Sequence, residues 1–133
     1  MEMTRERLES YRSNKEEIKE LQYKLNHLGE GDSMIGNDVI LDGTKGYLRP
    51  QSVVGYDYKK HDRLCNRYME RITQLQKECE EVEMWIERIE DGLTRRIFRM
   101  YFLDGKSQQA IARKIHIHQT AVSKKISAYL QME

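Results

Sequence analysis

The chain has 133 residues, of which 38% are hydrophobic and 34% charged, and it contains one proline. This length allows one ordinary domain, or one very small domain attached to an extended helical part. The composition is too polar for a thick globular core and too apolar for wholesale disorder, and its helix-forming residues predict long helices. No segment approaches the roughly 18 apolar residues of a membrane span, so no membrane partner is expected.

The near-neutral total charge hides an asymmetry along the chain. Residues 1–93 hold 15 Lys and Arg against 20 Asp and Glu, whereas residues 94–133 hold 8 against 2. A small basic segment attached to an acidic body indicates that one end meets a polyanion and the other does not. The alternative is that the basic residues only form a solvated surface. The motifs within the basic segment decide between polyanion binding and this alternative.

The first block, residues 3–28, is predicted to be one amphipathic helix that ends at Gly29. Its apolar residues recur with heptad spacing, and the second half of the pattern is better than the first, where Asn14 interrupts it. The apolar positions are Leu8, Tyr11, Ile18, Leu21, Leu25 and Leu28.

Residues 29–56 are predicted to connect two helical parts. They hold six of the eight glycines and the single proline, Pro50, and these residue types interrupt helices. Apolar residues on either side of the sequence DGTKG are compatible with a small β-hairpin within 29–56.

Residues 57–91 carry the strongest heptad pattern and are predicted to form one long helix. A helix of this length is not stable as an isolated amphipathic rod, so its apolar stripe must be covered. The cover is either the first helix folding back as a hairpin or a second copy of the chain in a coiled coil. We therefore expect residues 1–92 to form a helical hairpin or coiled-coil region. The stripe positions are His61, Cys65, Tyr68, Ile72, Leu75, Cys79, Val82, Ile86 and Ile89.

Residues 93–133 are predicted to form a helix-turn-helix domain, which makes the whole protein all-α. A first short helix ends at Asp104-Gly105, and Ser107 can cap a second helix. A third helix runs over about Gln119–Gln131. The inward positions of these two later helices include Ile111, Ala112, Val122 and Ile126, and a small residue at Ala112 suits a helix crossing.

This segment, IFRMYFLDGKSQQAIARKIHIHQTAVSKKISAYL, resembles the fourth region of bacterial sigma factors and the related phage regulators of the ArpU/RinA type. The overall layout, a long helical part followed by a terminal sigma-like module, resembles the phage regulators more than it resembles a full sigma factor. His116 stands where the family usually has the turn glycine. The resemblance is carried by Tyr101, Asp104, Gly105, Ser107, Ile111, Ala112, Ile115, Ile117, Val122 and Ile126.

The resemblance implies a sequence-specific regulator of phage or prophage transcription that binds double-stranded DNA and activates late genes in a bacterial cytoplasm. RNA polymerase is an implied partner, and the helical region is expected to form a homo-oligomer. The second helix of the motif would enter the major groove, with Gln119, Thr120, Ser123 and Lys124 near base edges. The remaining expected DNA-binding residues are Arg99, Ser107, Arg113, Lys114, Lys125 and Ser127.

The sequence gives no sign of an enzyme, a cofactor or a metal site. His116 and His118 lie two residues apart, but no third ligand or Cys pair lies nearby, so a role in the turn is the favoured interpretation. The chain lacks a phosphate-binding glycine loop and a nucleophile–base pattern.

Two other functions remain open from the sequence. The first is the DNA-recognition small subunit of a phage packaging terminase, which would form a ring of many subunits. The second is a coiled-coil scaffold that does not bind DNA. Solution mass tests the former, and DNA binding tests the latter.

Overall fold

The computed structural model describes residues 2–29 and 57–132, and every regular element within these ranges is helical. The predicted all-α class is therefore confirmed. The predicted β-hairpin and most of the glycine-rich connection lie outside the described residues. The helices are α1 (Arg5–Glu9), α2 (Tyr11–Asn26), α3 (Tyr58–Glu87), α4 (Gly92–Phe98), α5 (Gln108–Ile115) and α6 (Gln119–Met132), and a π-helical segment (Arg99–Leu103) follows α4.

The described residues fall into two compact units. The first holds residues 2–18 and 74–132, and the second holds residues 19–29 and 57–73. The first unit thus combines the helix-turn-helix segment with the start of the chain and the end of α3. This grouping differs from the predicted boundary between residues 92 and 93.

The N-terminal segment begins as two helices, whereas the sequence predicted one. Thr4 caps α1 by accepting a hydrogen bond from the backbone N–H of Arg7 at 3.2 Å. The Ser10 hydroxyl donates to the carbonyl of Glu6 at 2.8 Å. Serine that bonds back to the preceding turn competes with regular helix geometry, which accounts for a break at this position.

The buried residues of this segment are found in both of its halves, whereas the heptad pattern favoured the second half. Leu8 is fully buried, and Tyr11 and Ile18 are 7% exposed, whereas Leu21 and Leu25 are only half-buried. Leu8 lines one surface depression together with Tyr101 and Phe102 of the π-helical segment, so its burial involves tertiary structure.

An ion-pair network joins α1 to the acidic face of α3. The guanidinium of Arg7 donates to the carboxylates of Glu78, at 2.9 Å, and Glu81. Burial lowers the pKa of Arg7, but its hydrogen bonds and charge attraction with the two carboxylates outweigh that effect and raise it. Arg7 therefore stays charged while it is partly buried between α1 and α3.

Tyr11 makes a second polar contact between the N-terminal helices and α3. Its hydroxyl donates a short hydrogen bond to Glu83, whose carboxylate also pairs with Lys15 at 3.4 Å. Burial, followed by the hydrogen bond and charge of Glu83, raises the pKa of Tyr11 well above its ordinary value. Tyr11 is consequently a neutral donor across the physiological range.

The apolar stripe predicted over residues 57–91 is buried over its C-terminal part, although α3 ends at Glu87 and Ile89 follows the helix. Six successive stripe positions have less than a tenth of their surface exposed, which confirms their inward orientation: Ile72, Leu75, Cys79, Val82, Ile86 and Ile89. The pairing partner of the whole stripe, a hairpin return or a second copy, stays a prediction.

Aromatic rings connect the end of α3 to the helix-turn-helix segment. Trp85 lies 5.9 Å from Phe98 and 5.6 Å from Tyr129, measured between ring centroids. Phe98 also contacts Tyr129 at 5.4 Å and Phe102 at 5.3 Å. These tilted and edge-on arrangements are the favourable ones for aromatic pairs, so the four rings form the centre of the first unit.

The second unit contains the end of α2 and the start of α3. Asp57 begins α3 by accepting a hydrogen bond from the backbone N–H of Lys60 at 2.9 Å. The rings of Tyr23 and His27 stack at 3.9 Å near the end of α2.

Within the described ranges, no helix has the length and apolar character needed to cross a membrane.

Truncation of Leu8 should destabilise the protein strongly, although Leu8 lies in the weaker half of the heptad pattern. Leu8→Ala removes a fully buried side chain and should lower the free energy of unfolding by about 2–5 kcal/mol. The half-buried Leu25→Ala is the matched control and should cost less. Urea unfolding followed by circular dichroism measures both, and a larger loss from Leu25→Ala would contradict the burial pattern.

Candidate nucleic-acid interface

Helices α5 and α6 pack against each other through the side chains that the sequence predicted to face inward. Ile111 and Val122 are fully buried, Ile126 is 1% exposed and Ala112 is 6% exposed. Ser107 caps α5, as expected, by accepting a hydrogen bond from the backbone N–H of Ala110 at 3.1 Å. Two short helices joined by a tight turn are therefore present at the predicted positions.

His116 forms the turn between α5 and α6 in a left-handed backbone conformation. Its φ and ψ are 62° and 46°, and its N–H donates to the carbonyl of Ala112. The N–H of Ile117 donates to the same carbonyl at 3.1 Å. Left-handed geometry after a helix is usually occupied by glycine, so His116 performs the glycine's role at an energetic cost.

The polar residues at the start of α6 are accessible to different degrees. Gln119, Thr120 and Lys124 are exposed, and Ser123 and Ser127 are half-buried. With 3.6 residues per turn, Thr120, Lys124 and Ser127 lie on the side of α6 opposite Val122 and Ile126, and Ser123 lies at the edge of that side. Gln119 lies one turn before Val122 and on the same side as Val122, at the exposed first position of the helix. Thr120 and Lys124 thus share an outward face, and Gln119 is accessible at the start of the helix.

Arg113 and Lys114 are exposed in the last turn of α5, close in the chain to the start of α6. Their positive charges also stabilise the negative end of the α5 dipole, so they have a structural role as well. Residues 105–132 contain five Lys and Arg and no Asp or Glu. This makes the surface of both helices cationic.

Lys125 lies away from that outward face. It is half-buried, and the helical period places it on the opposite side of α6 from Thr120. Asp91 accepts hydrogen bonds from the Thr94 hydroxyl at 2.7 Å and the Thr94 backbone N–H at 2.9 Å. These bonds, with smaller contributions from the charges of Lys125 and Arg95, lower the pKa of Asp91.

Arg99 is the second predicted residue that the structure separates from the others. Its guanidinium pairs with the carboxylate of Glu87 at 2.9 Å. An arginine already paired with a carboxylate has less net charge to offer a phosphate than an unpaired one. The neighbouring Arg95 donates to the carbonyl of Ile89 at 2.8 Å, so it holds the connection between α3 and α4.

One cation that the sequence did not suggest lies beside the loop before α5. The guanidinium of Arg12, from α2, lies against Gly105, and the surface around them includes Lys106 and Ser107. The sequence offered no signal for this placement, because the contact joins two distant parts of the chain and follows no periodicity.

Over residues 2–29 and 57–132, no group of three or more His, Cys, Asp or Glu side chains is arranged to hold a metal ion. His116 and His118 are both exposed at the turn.

Comparison of the chain with protein-family models, with curated proteins and with solved structures found no match.

Replacing His116 with glycine should stabilise the protein. Glycine adopts the left-handed conformation without the Cβ clash, so His116→Gly should raise the free energy of unfolding by about 1 kcal/mol. His116→Ala retains Cβ and is the matched control, for which no comparable gain is expected. Thermal unfolding measures both variants. An equal gain in the alanine variant would show that the backbone conformation is not the cause.

The cap formed by Asp91 should make stability depend on acid pH. Because its folded-state pKa is depressed, its contribution is complete above the unfolded value of about 3.9 and is lost as pH falls through the folded value. The stability difference between wild type and Asp91→Ala should therefore shrink below about pH 4. Urea midpoints across pH 2–7 test this; a difference that grows on acidification would contradict the assignment.

Proposed function

We propose that the protein is a sequence-specific, double-stranded-DNA-binding transcriptional regulator of phage or prophage type. The observation that carries the proposal is the outward face of α6. It presents Thr120 and Lys124, Gln119 is exposed at the start of the same helix, and no Asp or Glu occurs in residues 105–132. A cationic helix exposed in this way suits the major groove, which is wide enough to admit one.

The polar side chains at the start of α6 match known modes of base contact. Gln119 suits a bidentate pair with adenine, and Lys124 suits guanine or a phosphate. Thr120 and Ser123 offer hydroxyl groups that donate or accept, and the Thr120 methyl suits a thymine methyl. Sequence preference is therefore assigned chiefly to Gln119, Thr120 and Lys124.

Phosphate contacts are assigned to the cations at the rim of that face. Arg113 and Lys114 are exposed at the end of α5, so they are accessible to a DNA strand that borders the groove. Such contacts fix the position and orientation of a protein on DNA without reading its sequence. Arg99 makes a weaker candidate because it pairs with Glu87, and Lys125 does so because it is half-buried.

The regulatory part of the proposal rests on the resemblance to sigma-factor region four and to phage regulators. It implies activation of late genes and contact with RNA polymerase. Homo-oligomerisation is a further part of the proposal, because one small module buries only about 600–1,000 Å² on DNA. Met84 of α3 is 48% exposed and offers apolar surface for a second copy.

Lys124→Ala should weaken DNA binding, because it removes a charge from the outward face of α6. Affinity for a labelled mixed-sequence duplex should fall, and the slope of log K against log salt should decrease by about 0.9. Lys77→Ala is the matched control, since it removes the same charge from an acidic stretch of α3. Fluorescence anisotropy at rising salt measures both, and equal effects would contradict the placement of the interface.

Selection of sites from a random DNA library tests sequence specificity. Wild type should enrich a motif, and Gln119→Ala should relax the preference at one base position by about 1–3 kcal/mol. Absence of DNA binding even at low salt would favour the scaffold function instead. A solution mass that corresponds to a ring of many subunits would favour the terminase subunit.

A further inference from the structure

Arg12 belongs to α2, within the acidic part of the chain, yet its charged group lies against the helix-turn-helix segment. A Cβ atom added at Gly105 would overlap the Cζ, Nε and Nη1 atoms of Arg12. Gly105 has a φ of 74°, so glycine satisfies the turn and leaves room for the guanidinium at the same time. The guanidinium of Arg12 therefore lies close to the backbone of the loop that precedes α5.

The surface beside Arg12 mixes charged, polar and apolar side chains, with Leu8, Tyr101 and Phe102 among them, and Asp104 precedes Gly105 in the chain. The surface there includes Lys106 and Ser107, both of which are exposed. Glu9 also borders it, but its carboxylate pairs with Arg5 at 3.0 Å. Over residues 2–29 and 57–132, no carboxylate forms an ion pair with Arg12, in contrast to Arg7 and Arg99.

We propose that Arg12, together with Lys106, contacts a backbone phosphate of the DNA that α6 reads. This inference rests on the proposed function and extends its interface to a residue of the N-terminal helices. The partner is the phosphodiester backbone of duplex DNA. The contact contributes affinity and no base preference.

The position of this pair relative to α6 supports the assignment. When the second helix of a helix-turn-helix lies in the major groove, the first helix crosses the neighbouring backbone. Helix α5 runs from Ser107 to the turn at His116, so its eight residues extend about 12 Å from that turn. The groove is itself about 12 Å wide. Cations at the far end of α5 are thus at a suitable distance for the strand that borders the groove.

A planar guanidinium suits this task better than a point charge. Arginine presents several N–H donors in a fixed plane and forms paired hydrogen bonds to phosphate oxygens. Lys106 supplies a second positive charge from the loop itself. The positive charges of Arg12 and Lys106 would also offset the repulsion between the acidic residues 1–93 and the DNA phosphates.

The test compares Arg12→Ala, Arg12→Lys and Lys77→Ala in the full-length protein. Binding to the labelled mixed-sequence duplex is measured by fluorescence anisotropy at rising salt, and folding is checked by thermal unfolding. Arg12→Ala should bind about fivefold more weakly at low salt, with a salt slope smaller by about 0.9. Arg12→Lys should restore most of the slope, and Lys77→Ala should retain wild-type affinity. The motif selected from a random library should be the same for wild type and Arg12→Ala.

The outcomes separate this inference from the proposed function. Unchanged affinity and slope for Arg12→Ala, with Lys124→Ala still impaired, would overturn the inference alone. Failure of wild type to bind duplex DNA would overturn both. A changed motif would also overturn the inference, since it would make Arg12 a base-reading residue. If Arg12→Ala fails to fold, Arg12→Gln, which retains most of the side-chain length, replaces it in the same comparison.

Discussion

The packing of Phe98 against Trp85, Phe102 and Tyr129 is the interaction on which the rest of the first unit depends. A helix-turn-helix of about 40 residues is too small to bury a sufficient core alone. Here the missing apolar surface comes from other parts of the chain, with Trp85 from α3 and Leu8 from α1. Helices α5 and α6 are consequently supported by residues from other parts of the chain.

The acidic surface of α3 is partly neutralised by basic side chains from other helices of the same chain. Arg7 pairs with Glu78 and Glu81, Lys15 and Tyr11 bind Glu83, and Arg99 pairs with Glu87. These contacts attach the N-terminal helices and the π-helical segment to α3. The cations left exposed on α5 and α6 have no such partners in residues 105–132, because that stretch contains no carboxylate. The ion pairs therefore hold the first unit together, and the lack of carboxylates in residues 105–132 leaves α5 and α6 with a positive surface charge.

Local patterns in the sequence predicted the elements and their inward faces well. The cap at Ser107, the turn at His116 and the buried positions Ile111 and Val122 follow from spacing and residue chemistry over a few neighbouring positions. Contacts between distant segments could not be predicted this way. Leu8 lies in a weak stretch of heptads, and its burial depends on the π-helical segment, which has no clear sequence signature. For the same reason, Arg12 was not among the expected interface residues.

Trp85 is the one tryptophan of the chain and lies within the ring cluster that joins α3 to α4 and α6. Its indole is half-buried, so its emission is sensitive to any rearrangement at this junction. The protein thus carries an intrinsic optical reporter at the point where α3 meets α4 and α6. Loosening of that junction, whether by heat, denaturant or a bound ligand, becomes visible without an added label.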